Sequence, residues 1–193
     1  MIFSQTPLAG AFLIDLEPRE DERGFFARTF CRREFEEHGL ESNLVQCSLS
    51  FNRLQGTIRG VHFQRAPSQE VKLVRCTAGA LFDVIVDLRP DSPTSLRYCA
   101  VELSAENRRT LYVPKDFAHG FQTLADGTEV VYQMTEFYAP NSAAGLRWND
   151  PLFAIPWPLP VSVISAQDAG YADFQGLGDP RLSAARPLAT VQT

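Results

Sequence analysis

At 193 residues and 45% hydrophobic composition, the chain can bury one good core and is expected to form a single domain over residues 1–193. A net charge of −5 excludes a global positive field, so no nucleic-acid partner is expected and any anion must meet a local basic cluster. The four cysteines, Cys31, Cys47, Cys76 and Cys99, show neither a Cys-x-x-Cys pair nor a dense disulfide spacing, and the first residues lack a signal peptide's basic flank and apolar run. The best apolar segment, residues 81–88, is broken by Asp83 and Asp87 and is too short to span a membrane, so a cytoplasmic, soluble chain with no membrane partner is expected.

In chain order, residues 32–38 predict two helical turns closed by Gly39. Residues 71–76 predict a strand, followed by the turn candidate Thr77-Ala78-Gly79. Residues 81–88 predict the next strand, stopped by Arg89-Pro90-Asp91-Ser92-Pro93. Further strands are predicted at 97–103, 110–113, 120–124 and 129–137, with a single turn at 104–107 and the hairpin dipeptide Asp126-Gly127 before the last strand. Beyond Pro151 the chain becomes proline-dense (Pro156, Pro158, Pro160), as suits a segment wrapped on a barrel, and the tail at 180–193 is expected to be loosely held. Many short strands with Gly/Pro turns and little helix predict an all-β sandwich or jelly roll.

Alternation places Lys72 on the face of Val74 and Cys76, Tyr132 on that of Val130 and Met134, and, if that stretch is extended, His119 on that of Phe117 and Phe121. Each polar group thus stands in an apolar row, which suits an enclosed pocket. Singly, each has a bland explanation: a lysine that snorkels to the rim, a tyrosine that packs. The argument for chemistry rests on their occurring together. His62, Glu70 and His119 supply three possible metal ligands, but where a metal-binding cupin carries a second histidine two residues after the first, this chain has Gln64, and Asp116 replaces a usual glycine before His119. Without a metal the same region holds an acid–base set: a histidine base, a tyrosine proton donor, and a lysine and second histidine to stabilise an enolate oxygen. Either Asp168 or Asp83 can hold the base in one tautomer.

The blocks Asp21-Glu22-Arg23-Gly24-Phe25-Phe26, Ile58-Arg59-Gly60-Val61-His62-Phe63-Gln64, Lys72-Leu73-Val74-Arg75-Cys76, Phe82-Asp83-Val84-Ile85-Val86-Asp87-Leu88-Arg89, Phe117-Ala118-His119-Gly120-Phe121 and Trp148-Asn149-Asp150-Pro151 follow one another in an order and spacing that is highly specific. In these blocks the chain resembles the dTDP-4-dehydrorhamnose 3,5-epimerase family. The resemblance implies a metal-free cupin jelly roll with no cofactor. It also implies a homodimer that shares N-terminal strands within residues 1–30, and a dTDP-linked 4-keto-6-deoxyhexose as substrate. Carried residue by residue, it implies His62 as base, Asp168 as its orienting partner and Tyr132 as acid, with Lys72 and His119 on the keto oxygen. It further implies Arg59 and Arg23 on the diphosphate, Arg23 from the partner subunit, and Tyr138 with Phe25 at the nucleotide. Arg28, Gln46, Ser48, Ala143 and Gln167 stand at positions expected to touch nucleotide or sugar. Four of these depart from the family's usual residues: Arg28 and Ala143 replace glutamates, Gln167 a lysine, and Gln46-Cys47-Ser48 a Gln-Asp-Asn. The departures spare the chemical residues and lean toward specialised deoxysugar pathways, where some epimerases invert carbon 3 only. Two competing readings are a metal-dependent cupin oxygenase using His62, Glu70 and His119, and a non-catalytic nucleotide-sugar binding module.

Overall fold

A computed structural model describes residues 1–174. Two antiparallel sheets face each other. The six-stranded sheet has the order β1 (Ile2–Gln5), β2 (Phe12–Asp15), β10 (Thr110–Val113), β7 (Lys72–Ala78), β12 (Thr128–Met134), β5 (Gln46–Asn52). The five-stranded sheet runs β13 (Ala143–Gly145), β6 (Ile58–Gln64), β11 (Phe117–Thr123), β8 (Ala80–Asp87), β9 (Tyr98–Ser104). A separate hairpin pairs β3 (Arg19–Asp21) with β4 (Gly24–Phe26). Most neighbours within a sheet are distant in sequence, which is the connectivity of a jelly roll, here of the cupin type.

Alternation sorts the side chains into three layers. Between the sheets lie Val74, Cys76, Leu111 and Val130 from one side and Leu81, Ile85, Phe117 and Phe121 from the other. On the outer face of the five-stranded sheet, Val84, Val86 and Ala118 are covered by Leu146, Phe153, Ile155 and Trp157, so the proline-dense segment does wrap the barrel. Helix α1 (Arg32–Glu37) covers the outer face of the other sheet, where its Phe35 packs with Ile14, Leu73 and Tyr112. Gly39 follows at φ +68°, the left-handed conformation that ends such a helix.

The predicted strands at 71–76, 81–88, 97–103 and 110–113 are all present within one or two residues of their expected ends. Two differ in extent. β11 begins at Phe117 rather than 120, which makes His119 a central strand residue. β12 ends at Met134 rather than 137, because the chain beyond it is drawn onto the Gln64 side chain through the Phe137 carbonyl and the Ala139 N–H. The strands before residue 65 escape simple patterning, and β5 shows why. Its Gln46, Ser48 and Ser50 line a cavity while Phe51 is half exposed, so polarity is inverted relative to a core strand. The expected loose tail at 180–193 lies outside the described residues.

Candidate active site

Where apolar side chains stop filling the inter-sheet space, a cavity of about 870 Å³ opens between β6 and β11 on one wall and β5, β7 and β12 on the other. Its geometry begins with a close crossing. A Cβ on Gly120 would fall 2.8 Å from the Arg59 carbonyl, and one on Gly60 would fall 2.6 Å from the Gly120 Cα. Only glycine permits β6 and β11 to approach this closely. The crossing sets His62 and His119 directly opposite each other in the ladder.

Each histidine has its own carboxylate. His62 Nε2 lies 2.7 Å from Asp168 Oδ1. Asp168 sits in α2 (Ala166–Ala169), whose N-cap Ser165 accepts the Asp168 N–H, and its second oxygen accepts the Gly60 N–H at 3.2 Å. Burial works against the charged carboxylate, yet His62, Gly60 and Ser165 together hold Asp168 below the ordinary carboxylate range. With Asp168 accepting the Nε2 hydrogen, His62 Nδ1 carries the lone pair that can take a proton. His119 Nε2 meets Asp83 Oδ1 at 2.6 Å, with both side chains buried. There burial dominates and raises the Asp83 pKa despite the histidine. Of the two aspartates that the sequence left open, Asp168 therefore orients His62, and Asp83 orients His119.

The opposite wall carries the other groups. Lys72 Nζ stands 3.0 Å from Glu70 and 3.4 Å from the His62 carbonyl oxygen. Tyr132, beside Val130 in β12, places its ring 6.0 Å from His119 at 74°. Burial, reinforced by the Asp83 charge, pushes the Tyr132 phenol well above its usual pKa, and Arg59 offsets this only in part. The phenol thus remains a proton donor at neutral pH. Arg59 is aimed along the cavity by Asn52, whose Oδ1 accepts its Nε hydrogen at 2.7 Å. This arrangement can remove a proton from one face of a bound carbon, hold an anion with ammonium and imidazole, and return a proton from the facing sheet.

The cavity lining brings together Gln46, Ser48, Arg59, His62, Lys72 and His119, and also Tyr132, Tyr138, Ala143, Gln167 and Asp168. It does not include Arg23, Phe25 or Arg28. Arg23 pairs with Asp21 at the β3–β4 hairpin with 86% of its side chain exposed. Phe25 lies under the Arg108 guanidinium, and Arg28 pairs with Glu34, which also binds the N-terminal ammonium. One aromatic lining residue, Tyr171, was not singled out from the sequence. Tyr171 stands 6.1 Å from His62, centroid to centroid, its ring packed where a Cβ on Gly145 would fall 2.3 Å away. Gln167 Nε2 donates to the Tyr171 hydroxyl. Nothing in the local pattern marked a tyrosine three residues past Asp168. Among the described residues no group of three His, Cys, Asp or Glu side chains converges as metal ligands. The three proposed donors are committed elsewhere: His62 to Asp168, His119 to Asp83, and Glu70 to Lys72 and Gln64.

A histidine–carboxylate pair, a partly buried tyrosine and a lysine–histidine pair on a jelly-roll cavity define a proton-transfer enzyme of the cupin class. The family model for dTDP-4-dehydrorhamnose 3,5-epimerase matches residues 5–176. The dTDP-4-dehydrorhamnose 3,5-epimerase of Methanothermobacter thermautotrophicus is 44% identical over 172 residues, covering 88% of this chain and 92% of that one. A crystal structure of the Bacillus anthracis dTDP-4-dehydrorhamnose 3,5-epimerase with TDP and PPi bound is similar at TM-score 0.86 and 40% identity, over 90% of this chain and 99% of that one. The Legionella pneumophila dTDP-6-deoxy-D-glucose-3,5-epimerase, in complex with dTDP-4-keto-L-rhamnose, is similar at TM-score 0.84 and 36% identity, over 100% of this chain and 99% of that one. The chain belongs to the dTDP-4-dehydrorhamnose 3,5-epimerase family, and is an isomerase of that type.

Proposed function

We propose that the chain epimerises a dTDP-linked 4-keto-6-deoxyhexose beside its carbon 4 ketone. The observation that carries this reading is the placement of His62, paired with Asp168, on one sheet and Tyr132 on the facing sheet. His62 Nδ1 takes the proton from the carbon next to the ketone. As charge moves onto the ketone oxygen, the Lys72 ammonium and His119, held by Asp83, stabilise the enolate. Tyr132 then delivers a proton to the opposite face of the same carbon, and the centre is inverted. Arg59 suits the diphosphate by bidentate pairing, and the exposed Tyr138 ring at the cavity edge suits the nucleobase.

A homodimer completes the reading. In the β3–β4 hairpin Phe26 is 77% exposed, beside Phe25 and Arg23. A hairpin that presents aromatic rings and a guanidinium to solvent fits insertion beside the cavity of a second copy, with Arg23 reaching the partner's diphosphate. A cytoplasmic location is supported by the free thiols of Cys76 and Cys99, which are buried. No helix among the described residues is long and apolar enough to cross a membrane.

The test is turnover of dTDP-4-keto-6-deoxyglucose in heavy water, read by proton NMR. Solvent deuterium at carbon 3 is expected, with deuterium at carbon 5 as well if both centres invert. Binding without deuterium at either carbon would instead leave a non-catalytic nucleotide-sugar module. The departures at Ser48, Ala143 and Gln167 all lie in the cavity lining, so the ratio of deuterium at the two carbons measures what they do to substrate choice.

A further inference from the structure

Gln64 occupies the position where a metal cupin places its second histidine, and the structure gives its amide a full set of partners. The side chain is buried at 4% exposure at the end of β6. Its Nε2 lies 3.0 Å from the Ser68 carbonyl, 3.3 Å from Glu70 Oε2 and 3.2 Å from the Phe137 carbonyl. Its Oε1 accepts the Ala139 N–H at 2.6 Å. Three acceptors around the nitrogen and one donor at the oxygen fix the amide in a single orientation. A carboxylate cannot donate to those acceptors.

The partners of this amide belong to two different parts of the cavity. On one side Glu70 is held by Gln64 through one oxygen and pairs through the other with Lys72 at 3.0 Å. On the other side, Phe137 and Ala139 flank Tyr138. The backbone that carries the Tyr138 ring is therefore pinned on both sides of it, and the Tyr138 N–H is held by Gln46 Oε1 at 3.1 Å. Tyr138 itself is 65% exposed, so its place depends on that backbone rather than on packing.

We infer that Gln64 is a positioning residue that couples the Lys72–Glu70 pair to the Tyr138 segment, so that one amide aligns the sugar end and the nucleotide end of the cavity. The inference rests on the nucleotide-sugar reading, in which Lys72 meets the keto oxygen and Tyr138 the nucleobase.

A double-mutant cycle on the full chain, with dTDP as the probe in titration calorimetry, tests it. Gln64→Glu keeps the length and the oxygen that accepts from Ala139 but sets a second oxygen against three acceptors. Alone it is expected to weaken dTDP binding about tenfold, as for a buried hydrogen-bonding group left facing the wrong partner. In a Tyr138→Ala background the same change is expected to cost less than about twofold, because the contact it supports is already gone. Exchange into the keto sugar at saturating substrate should also fall in Gln64→Glu, since that change disturbs Glu70 and through it Lys72. Equal losses of dTDP affinity in both backgrounds, or no loss, would overturn the coupling. If Gln64→Glu does not fold, Gln64→Met enters the same cycle with the same expectation. If neither variant melts cooperatively, the amide is a folding requirement and the positioning role is wrong. Wild-type protein that fails to bind dTDP would overturn the nucleotide-sugar reading itself, whereas binding that Tyr138→Ala weakens and the Gln64 variants do not would overturn the Gln64 role alone.

Discussion

Two aspartates were candidates for one job, and the structure gives each a histidine. Asp83 lies 36 residues from His119 and Asp168 lies 106 residues from His62, so no local spacing could pair them. Their environments also differ in effect. Burial raises the Asp83 pKa, whereas at Asp168 the hydrogen bonds overcome burial and lower it. A carboxyl depressed in the folded state adds stability that is complete above its unfolded pKa of about 3.9 and is lost as pH falls through the folded value. Asp168→Asn should therefore lower Tm at pH 7, and the difference from wild type should close as the pH is taken below about 4. Tyr132 has the opposite sign. Its phenol is raised, so its contribution is present below the unfolded value of about 10 and is lost as pH climbs through the folded one. In ultraviolet titration, wild type minus Tyr132→Phe should show no phenolate component near pH 10 while the protein stays folded. A component titrating at about 10 would contradict the enclosed acid.

At the level of elements, the strands that were legible are those whose inner faces pack into the core. Residues 71–76 and 110–113 read plainly because Val74, Cys76, Leu111 and Val113 bury in one cluster. The alternation that put Lys72 and Tyr132 in apolar rows held for the same reason, and both side chains line the cavity. What patterning could not show is a strand facing water on the inside, as β5 does with Gln46, Ser48 and Ser50, or a strand end set by a side chain elsewhere, as Gln64 ends β12. The glycines in Arg59-Gly60 and His119-Gly120 likewise acquire meaning only when β6 and β11 cross. Gly120→Ala forces a Cβ against the Arg59 carbonyl and is expected to cost about 1–3 kcal/mol. For a chain of this size that is a fall in Tm of roughly 2–4 °C per kcal/mol. Activity should fall further than stability, because the register of the two histidines depends on that crossing.

At the scale of the whole molecule, the cavity of one chain is lined by His62, Lys72, His119 and Tyr132 but not by Arg23, Phe25 or Arg28. For Arg23 and Phe25 the proposed homodimer supplies the missing wall; Arg28 is engaged with Glu34 within its own chain. Light scattering should give twice the chain mass, and Arg23→Ala should weaken dTDP binding with little change in Tm; a fully active monomer would remove the hairpin from the site. The central claim remains that base and acid act from opposite walls, and separating proton removal from proton return tests it most directly. Keto sugar in heavy water should lose its carbon 3 proton with wild type, and His62→Ala should abolish both that exchange and inversion. General acid–base groups of this kind are worth about 10²–10⁴ in rate. Tyr132→Phe should still exchange the proton while inverted product falls, most visibly at carbon 5. Exchange that survives in His62→Ala and vanishes in Tyr132→Phe would reverse the two roles and contradict the account.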